Sequence, residues 1–192
     1  MTLVYIHGAG STGDSFNYIR EHIGGDDLLL NYHSENGFEN NLKEMKQQLQ
    51  KVDPAFFIAH SLGGVYALHL SNLLPKQVIG AVTLSTPYGG AEAADFAKYF
   101  LPFSKLLHDI GPASWPMRQA EKIAIRHPWA NIVTTRGDVP WILGPNDGVV
   151  TVSSQKQHAR DMDLQEIDCN HYEVVLSDVV IALIKEKINL VD

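Results

Sequence analysis

A single cysteine, Cys169, among 192 residues excludes an intrachain disulfide and any cysteine-rich zinc site. No apolar run approaches the roughly 18–20 residues that a membrane-crossing helix needs. Positive charge is scarce: 15 Lys and Arg stand against 22 Asp and Glu, a formal net charge of −7, and no basic stripe gathers them. That balance argues against nucleic acid as a partner, because phosphates select basic surfaces. Metal and phosphate motifs are missing as well. There is no His-Glu-x-x-His and no Gly-x-x-x-x-Gly-Lys, and His60 and His69 share no helix face with a suitable partner. No metal and no cofactor are therefore expected. Met1 to Ile6 enter an apolar strand pattern without a basic leader, which leads to the expectation of a soluble, cytoplasmic protein.

What is present is the composition of a folded chain, 45% hydrophobic and 19% charged. Its length suits one domain over residues 1–192, large enough to bury a substantial core. Short β-rich runs alternate with helical stripes. Strands are expected at Leu3–Ile6, Leu28–Tyr32, Ala55–Ala59, Val78–Leu84, Asn131–Thr135 and Leu164–Ile167. Between them Phe38, Leu42, Met45, Leu49 and Val52 recur at helical spacing, and Leu62 to Leu74 reads as an apolar helix that Pro75 stops. A last helix runs from about Glu173, with Leu176, Val180, Leu183, Ile184 and Ile188 on its inner face. Strands alternating with helices imply an α/β fold: a three-layer sandwich of about six parallel strands with helices on both faces.

One segment breaks the rhythm. Residues 88–129 are longer than one crossover helix needs and are rich in large apolar side chains, among them Phe96, Phe100, Phe103, Trp115 and Trp129. They are expected to form helices at Ala91–His108 and Gln119–Arg126, joined by a stiff loop, Pro112–Pro116. Two readings stand open, a pair of core helices or a cap over an apolar site.

Three motifs carry chemistry. Ala59-His60-Ser61-Leu62-Gly63-Gly64 sits between a buried strand and an apolar helix, where a sharp turn exposes the serine hydroxyl at the carboxyl edge of the sheet. A serine there also caps helices, so that role is weighed beside the chemical one. His7-Gly8-Ala9-Gly10-Ser11 follows the first strand, and Asp168-Cys169-Asn170-His171-Tyr172 follows the last. Together these closely resemble the α/β-hydrolase superfamily and its Gly-x-Ser-x-Gly nucleophile elbow, with Ala59 in place of the first glycine as in a subset of small bacterial lipases.

The resemblance implies roles. Ser61 would be the nucleophile and His171 the base, with Asp147 of Pro145-Asn146-Asp147-Gly148 as the acid, in the family's chain order. Asp138 is the rival acid and His158 the rival base. Asp147 is preferred because the Gly-Val-Val-Thr run after it resembles small lipases, whereas His158 closes a polar stretch read as a solvated helix. The amides of Ala9 and Leu62 would form the oxyanion hole. Ser85-Thr86-Pro87-Tyr88 resembles a Thr-Pro segment of lipases and inositol-deacylase-like esterases, which puts Tyr88 near the pocket rim. Phe100 and Phe103 would line an acyl pocket beneath the cap. Because the resemblance starts at the oxyanion strand, it implies a minimal version of the fold. The activity implied is hydrolysis of carboxylic esters, of a small molecule or a lipid, through an acyl-enzyme. The same triad serves thioesters and amides, and a ligand-binding member without catalysis is the alternative outside enzymes.

Overall fold

The computed structural model describes residues 1–91, 105–137, 139–158 and 160–191. Six parallel strands form one sheet in the order β2-β1-β3-β4-β5-β6. They are β1 (Thr2–Ile6), β2 (Asp27–Leu30), β3 (Ala55–His60), β4 (Val78–Leu84), β5 (Trp129–Thr134) and β6 (Asp163–Ile167). Helices α1 (Asn17–Ile23), α2 (Phe38–Leu49) and α3 (Leu62–Leu73) connect the first four strands. Beyond β4 come α4 (Lys105–Ile110), α5 (Trp115–Ala120), the short α6 (Val152–Gln155) and the terminal α7 (Asp178–Asn189). Among the described residues no helix is long and apolar enough to cross a membrane.

The two-residue period of the strands divides the core in two. Val4, Ile6, Phe57 and Ala59 pack with Phe38, Met45 and Leu49 of α2 and with much of α3. Their neighbours Leu3, Tyr5, Phe56 and Ile58 pack on the other face with Ile19 of α1 and Val180, Ile181 and Ile184 of α7. The sheet is thus covered on both sides, as its near-continuous apolar strands require.

Helix α3 is buried from Leu62 to Ser71, which is why its sequence shows no polar face. Its first turn lies against the end of β1. A Cβ on Gly63 would stand 2.1 Å from the Ile6 carbonyl oxygen, a backbone atom with little room to retreat. Gly63→Ala is therefore expected to destabilise the protein at or above the upper end of the roughly 1–3 kcal/mol typical of overpacking. A thermal melt reads this directly, and an unchanged midpoint would contradict the contact.

Several boundaries differ from the sequence expectation. The Pro112–Pro116 stretch is not all loop: Ser114 caps α5, accepting the Met117 amide, and Pro116 sits in its first turn, where the missing N–H costs nothing. Strand β5 begins at Trp129, so this residue belongs to the sheet rather than to the preceding segment. The terminal helix opens as a 3-10 turn at Glu173–Leu176 before α7 begins.

Candidate active site

Three chain segments, those that follow β3, β5 and β6, meet through their side chains. Ser61 follows β3 directly, with φ 53° and ψ −125°. Such backbone angles are costly for a non-glycine residue and are held here by the packing of strand and helix around it. Ser61 occupies the N-cap position of α3, yet its side chain makes no capping hydrogen bond. Its Oγ lies 3.0 Å from His171 Nε2 instead, and His171 Nδ1 lies 2.8 Å from Asp147 Oδ2. Asp147 and His171 are 1% and 3% exposed. Their loops are tied through the backbone as well, His171 N–H donating to the Asp147 carbonyl at 3.0 Å.

The Asp147 carboxylate is heavily solvated by protein. Oδ1 accepts the amides of Val149 (3.0 Å) and Val150 (2.8 Å). Oδ2 accepts Thr134 Oγ1 (2.6 Å) and Gln155 Nε2 (3.2 Å) beside His171. Burial works to raise its pKa, but the bonds from His171, Thr134 and Val150 outweigh it and hold the carboxyl below the usual range. The neighbouring turn is shaped by Asn146, whose Oδ1 accepts the Gly148 amide. Asp147 is thereby left to face the imidazole.

Two further histidines, not singled out for chemistry in the sequence, hold the surroundings. His60 is pushed down to about 3 by burial and by the nearby His171, so its ring is neutral. Its Nε2 then donates to the His171 carbonyl oxygen at 2.9 Å and fixes the loop that carries the base. His7, also lowered by burial, accepts the Tyr32 amide at Nε2 (3.2 Å) and so donates from Nδ1 to the Gly8 carbonyl (2.8 Å). Gly8 itself allows close passage, since a Cβ there would stand 3.1 Å from the Ser61 Cβ.

The His60 shift has a measurable sign. Unfolded, the group titrates near 6.5; folded, near 3. Between those values the unfolded chain binds a proton that the native protein does not, so stability rises with pH across that window and is lost as the pH falls. Asp147, depressed in the fold, acts in the same direction in its own lower range. His60→Asn is expected to remove close to one proton from the pH dependence of unfolding between about pH 6 and 4. Denaturant titrations across that range check it, and an unchanged slope would contradict the buried neutral imidazole.

A cavity of about 390 Å³ opens over Ser61, with Leu62, Pro87, Ile110, Val150 and Val175 among its walls. None of the described lining residues carries a fixed charge. Ala9 and Leu62 both face it, and among the described residues neither amide has a protein acceptor; Leu62 is the first residue of α3, whose N–H has no carbonyl within the helix. Among the described residues no cluster of His, Cys, Asp or Glu is arranged to hold a metal ion.

Other expected site residues lie elsewhere. Tyr88 does not reach the rim. It is 1% exposed, its hydroxyl donates to Thr83 Oγ1 at 2.9 Å and accepts the Trp129 indole N–H at 3.0 Å, and those partners draw it into the core. Pro87, its neighbour, lines the cavity instead. His158 is buried rather than solvated, set edge-on to Tyr88, and is not among the residues lining the cavity. Phe100, Phe103 and Asp138 lie outside the described residues. In the rest of segment 88–129, Met117, Ala120 and Ile123 pack in the core, while Ile110 lines the cavity.

No protein-family model and no curated protein sequence matches the chain. Solved structures do. A metagenomic carboxyl esterase superposes with a TM-score of 0.73 at 16% identity, over 91% of this chain and 65% of the esterase, so the chain spans just under two thirds of that protein. A monoacylglycerol lipase of Paleococcus ferrophilus gives 0.66 at 14% identity, over 98% and 94% of the two chains. A Bacillus licheniformis lipase in mature form gives 0.70 at 15%, over 96% and 90%. At these identities the likeness is one of fold: the chain has the α/β-hydrolase fold.

Proposed function

We propose that this chain is a serine hydrolase of carboxylic esters that works through an acyl-enzyme on Ser61. The observation that carries the reading is the unbroken line from Ser61 Oγ through both ring nitrogens of His171 to Asp147, with a serine hydroxyl that takes no part in capping its own helix. Fold likeness to carboxyl esterases and lipases supports it by analogy.

In this reading His171 Nε2 removes the Ser61 proton as Oγ attacks the ester carbonyl. The Asp147 carboxylate holds the imidazole with its Nδ1 proton inward and stabilises the imidazolium that forms. Negative charge developing on the carbonyl oxygen meets the free amides of Ala9 and Leu62. His171 returns the proton to the leaving alcohol, and the acyl group stays on Ser61. A water deprotonated by the same nitrogen then releases the acid.

The mainly apolar walls, without a fixed charge among the described lining residues, favour a neutral acyl chain. Each methylene withdrawn from water contributes up to about 0.8 kcal/mol, so kcat/KM should climb by a factor of a few per added carbon until the cavity is full. The test is turnover of p-nitrophenyl esters of graded length beside an acyl thioester and an anilide. Faster turnover of the esters, rising with length, supports the reading. A preference for the thioester or anilide would reassign the leaving group, a flat length profile would remove the acyl pocket, and no turnover of any would contradict the proposal.

A further inference from the structure

Beneath Asp147 lies a buried polar cluster that the three proposed catalytic side chains leave unexplained. Gln155 at the end of α6, Thr134 at the end of β5 and Ser85 just after β4 are all 0% exposed. An amide and two hydroxyls so placed are costly unless each is paired. Gln155 is paired completely. Its Oε1 accepts the Thr134 amide at 2.9 Å, and its Nε2 donates to the Thr134 carbonyl at 3.1 Å and to Asp147 Oδ2 at 3.2 Å. The side chain thus binds the backbone of Thr134 as a neighbouring strand would, with one hydrogen left for the carboxylate.

Thr134 spends its own hydroxyl hydrogen on Asp147 Oδ2, the nearest acceptor and the charged one, at 2.6 Å. Ser85 Oγ, 2.8 Å from Thr134 Oγ1, must then donate to it. Ser85 does so from a left-handed backbone, φ 51°, shared among the described non-glycine residues only with Ser61. Asn131 completes the support by donating to the Gln155 carbonyl at 2.8 Å.

We propose that Thr134 and Gln155 are positioning residues that fix the plane of the Asp147 carboxylate. With Oδ1 held by the Val149 and Val150 amides and Oδ2 by Thr134 and Gln155, the group cannot turn about its Cβ–Cγ bond without breaking several bonds at once. The Nδ1 proton of His171 therefore meets one acceptor in one direction, and the Nε2 lone pair is aimed at Ser61. Neither residue is among those lining the cavity; both act through Asp147. The inference rests on the hydrolase reading for its effect on rate, though not for its geometry.

The test compares Thr134→Val with Thr134→Ser. Valine keeps the shape and loses the donor; serine keeps the donor and loses a methyl. Thr134→Val should lower kcat about tenfold with KM changed less than about twofold, the scale of one hydrogen bond to a charged group, while Thr134→Ser stays within a few-fold of wild type. A packing role would reverse that ranking. Gln155→Glu, which preserves shape but turns an acceptor toward Asp147, should match or exceed the loss in Thr134→Val and serves if the valine variant does not fold. A second readout needs no turnover: hydrogen exchange of the His171 Nδ1 proton by NMR should be faster in Thr134→Val than in wild type or Thr134→Ser. Wild-type kcat and exchange in Thr134→Val, or a serine variant worse than the valine one, would overturn the proposal. Absence of ester turnover in the wild type, with the exchange ranking intact, would instead count against the hydrolase reading alone.

Discussion

Ser61→Ala is expected to lower kcat toward esters by roughly 10⁴–10⁶ and to leave the fold unchanged. The second half of that expectation follows from what the hydroxyl touches. It meets His171 Nε2 and makes no cap to α3, so removing it costs the helix nothing. Alanine bears the positive φ about as well as serine does. His171→Ala should fall in the same range, and the double variant should be little worse than either single one, because the two groups share one step. Steady-state kinetics of the three variants checks this. A loss below about tenfold for Ser61→Ala would reduce the serine to a structural residue, and losses that multiply would contradict a shared unit.

Asp147→Asn is the other substitution with a large expected effect. The Val149 and Val150 amides demand an oxygen at one position, so the new amide nitrogen lands where Oδ2 was. There it meets three donors, from His171, Thr134 and Gln155. His171 relieves its share of the clash by moving its proton to Nε2, which then points at Ser61 and cannot accept the hydroxyl hydrogen. A loss near 10⁴ in kcat with little change in KM is the scale expected of an imidazole in the wrong tautomer. Thermal stability should fall too, since the remaining donors are buried and lose an acceptor. Asp138→Asn should cost far less; the reverse ranking would transfer the acid role.

The parts legible in the sequence were those carried by period and by backbone chemistry. Alternating strands and the apolar run of α3 specified a two-sided parallel sheet, and the small residues around Ser61 specified a tight strand-to-helix turn. Ser61, Asp147 and His171 were picked out by resemblance to the family's motifs and their chain order, and the structure brings these three side chains within hydrogen-bond reach. Burial of polar side chains was not legible. The run from Ser153 to His158 has the composition of a solvated face, yet Gln155 and His158 both point inward. Composition reports polarity, while burial depends on partners supplied by β5 and by the loop around Asp147. Tyr88 misled for the mirror reason: an aromatic at a strand end suits a pocket rim, but Thr83 and Trp129 offered its hydroxyl a buried place. His60 was weighed only as a metal ligand, although its neutral ring holds the carbonyl of the proposed base.

The central claim is that Ser61 is a nucleophile activated by His171. Its most direct measurement is intact-protein and peptide mass spectrometry after exposure to an active-site phosphonate ester. The account predicts a single adduct on Ser61, absent in Ser61→Ala and formed far more slowly in His171→Ala. An adduct on another residue, or labelling of Ser61 that proceeds at the wild-type rate without His171, would contradict it.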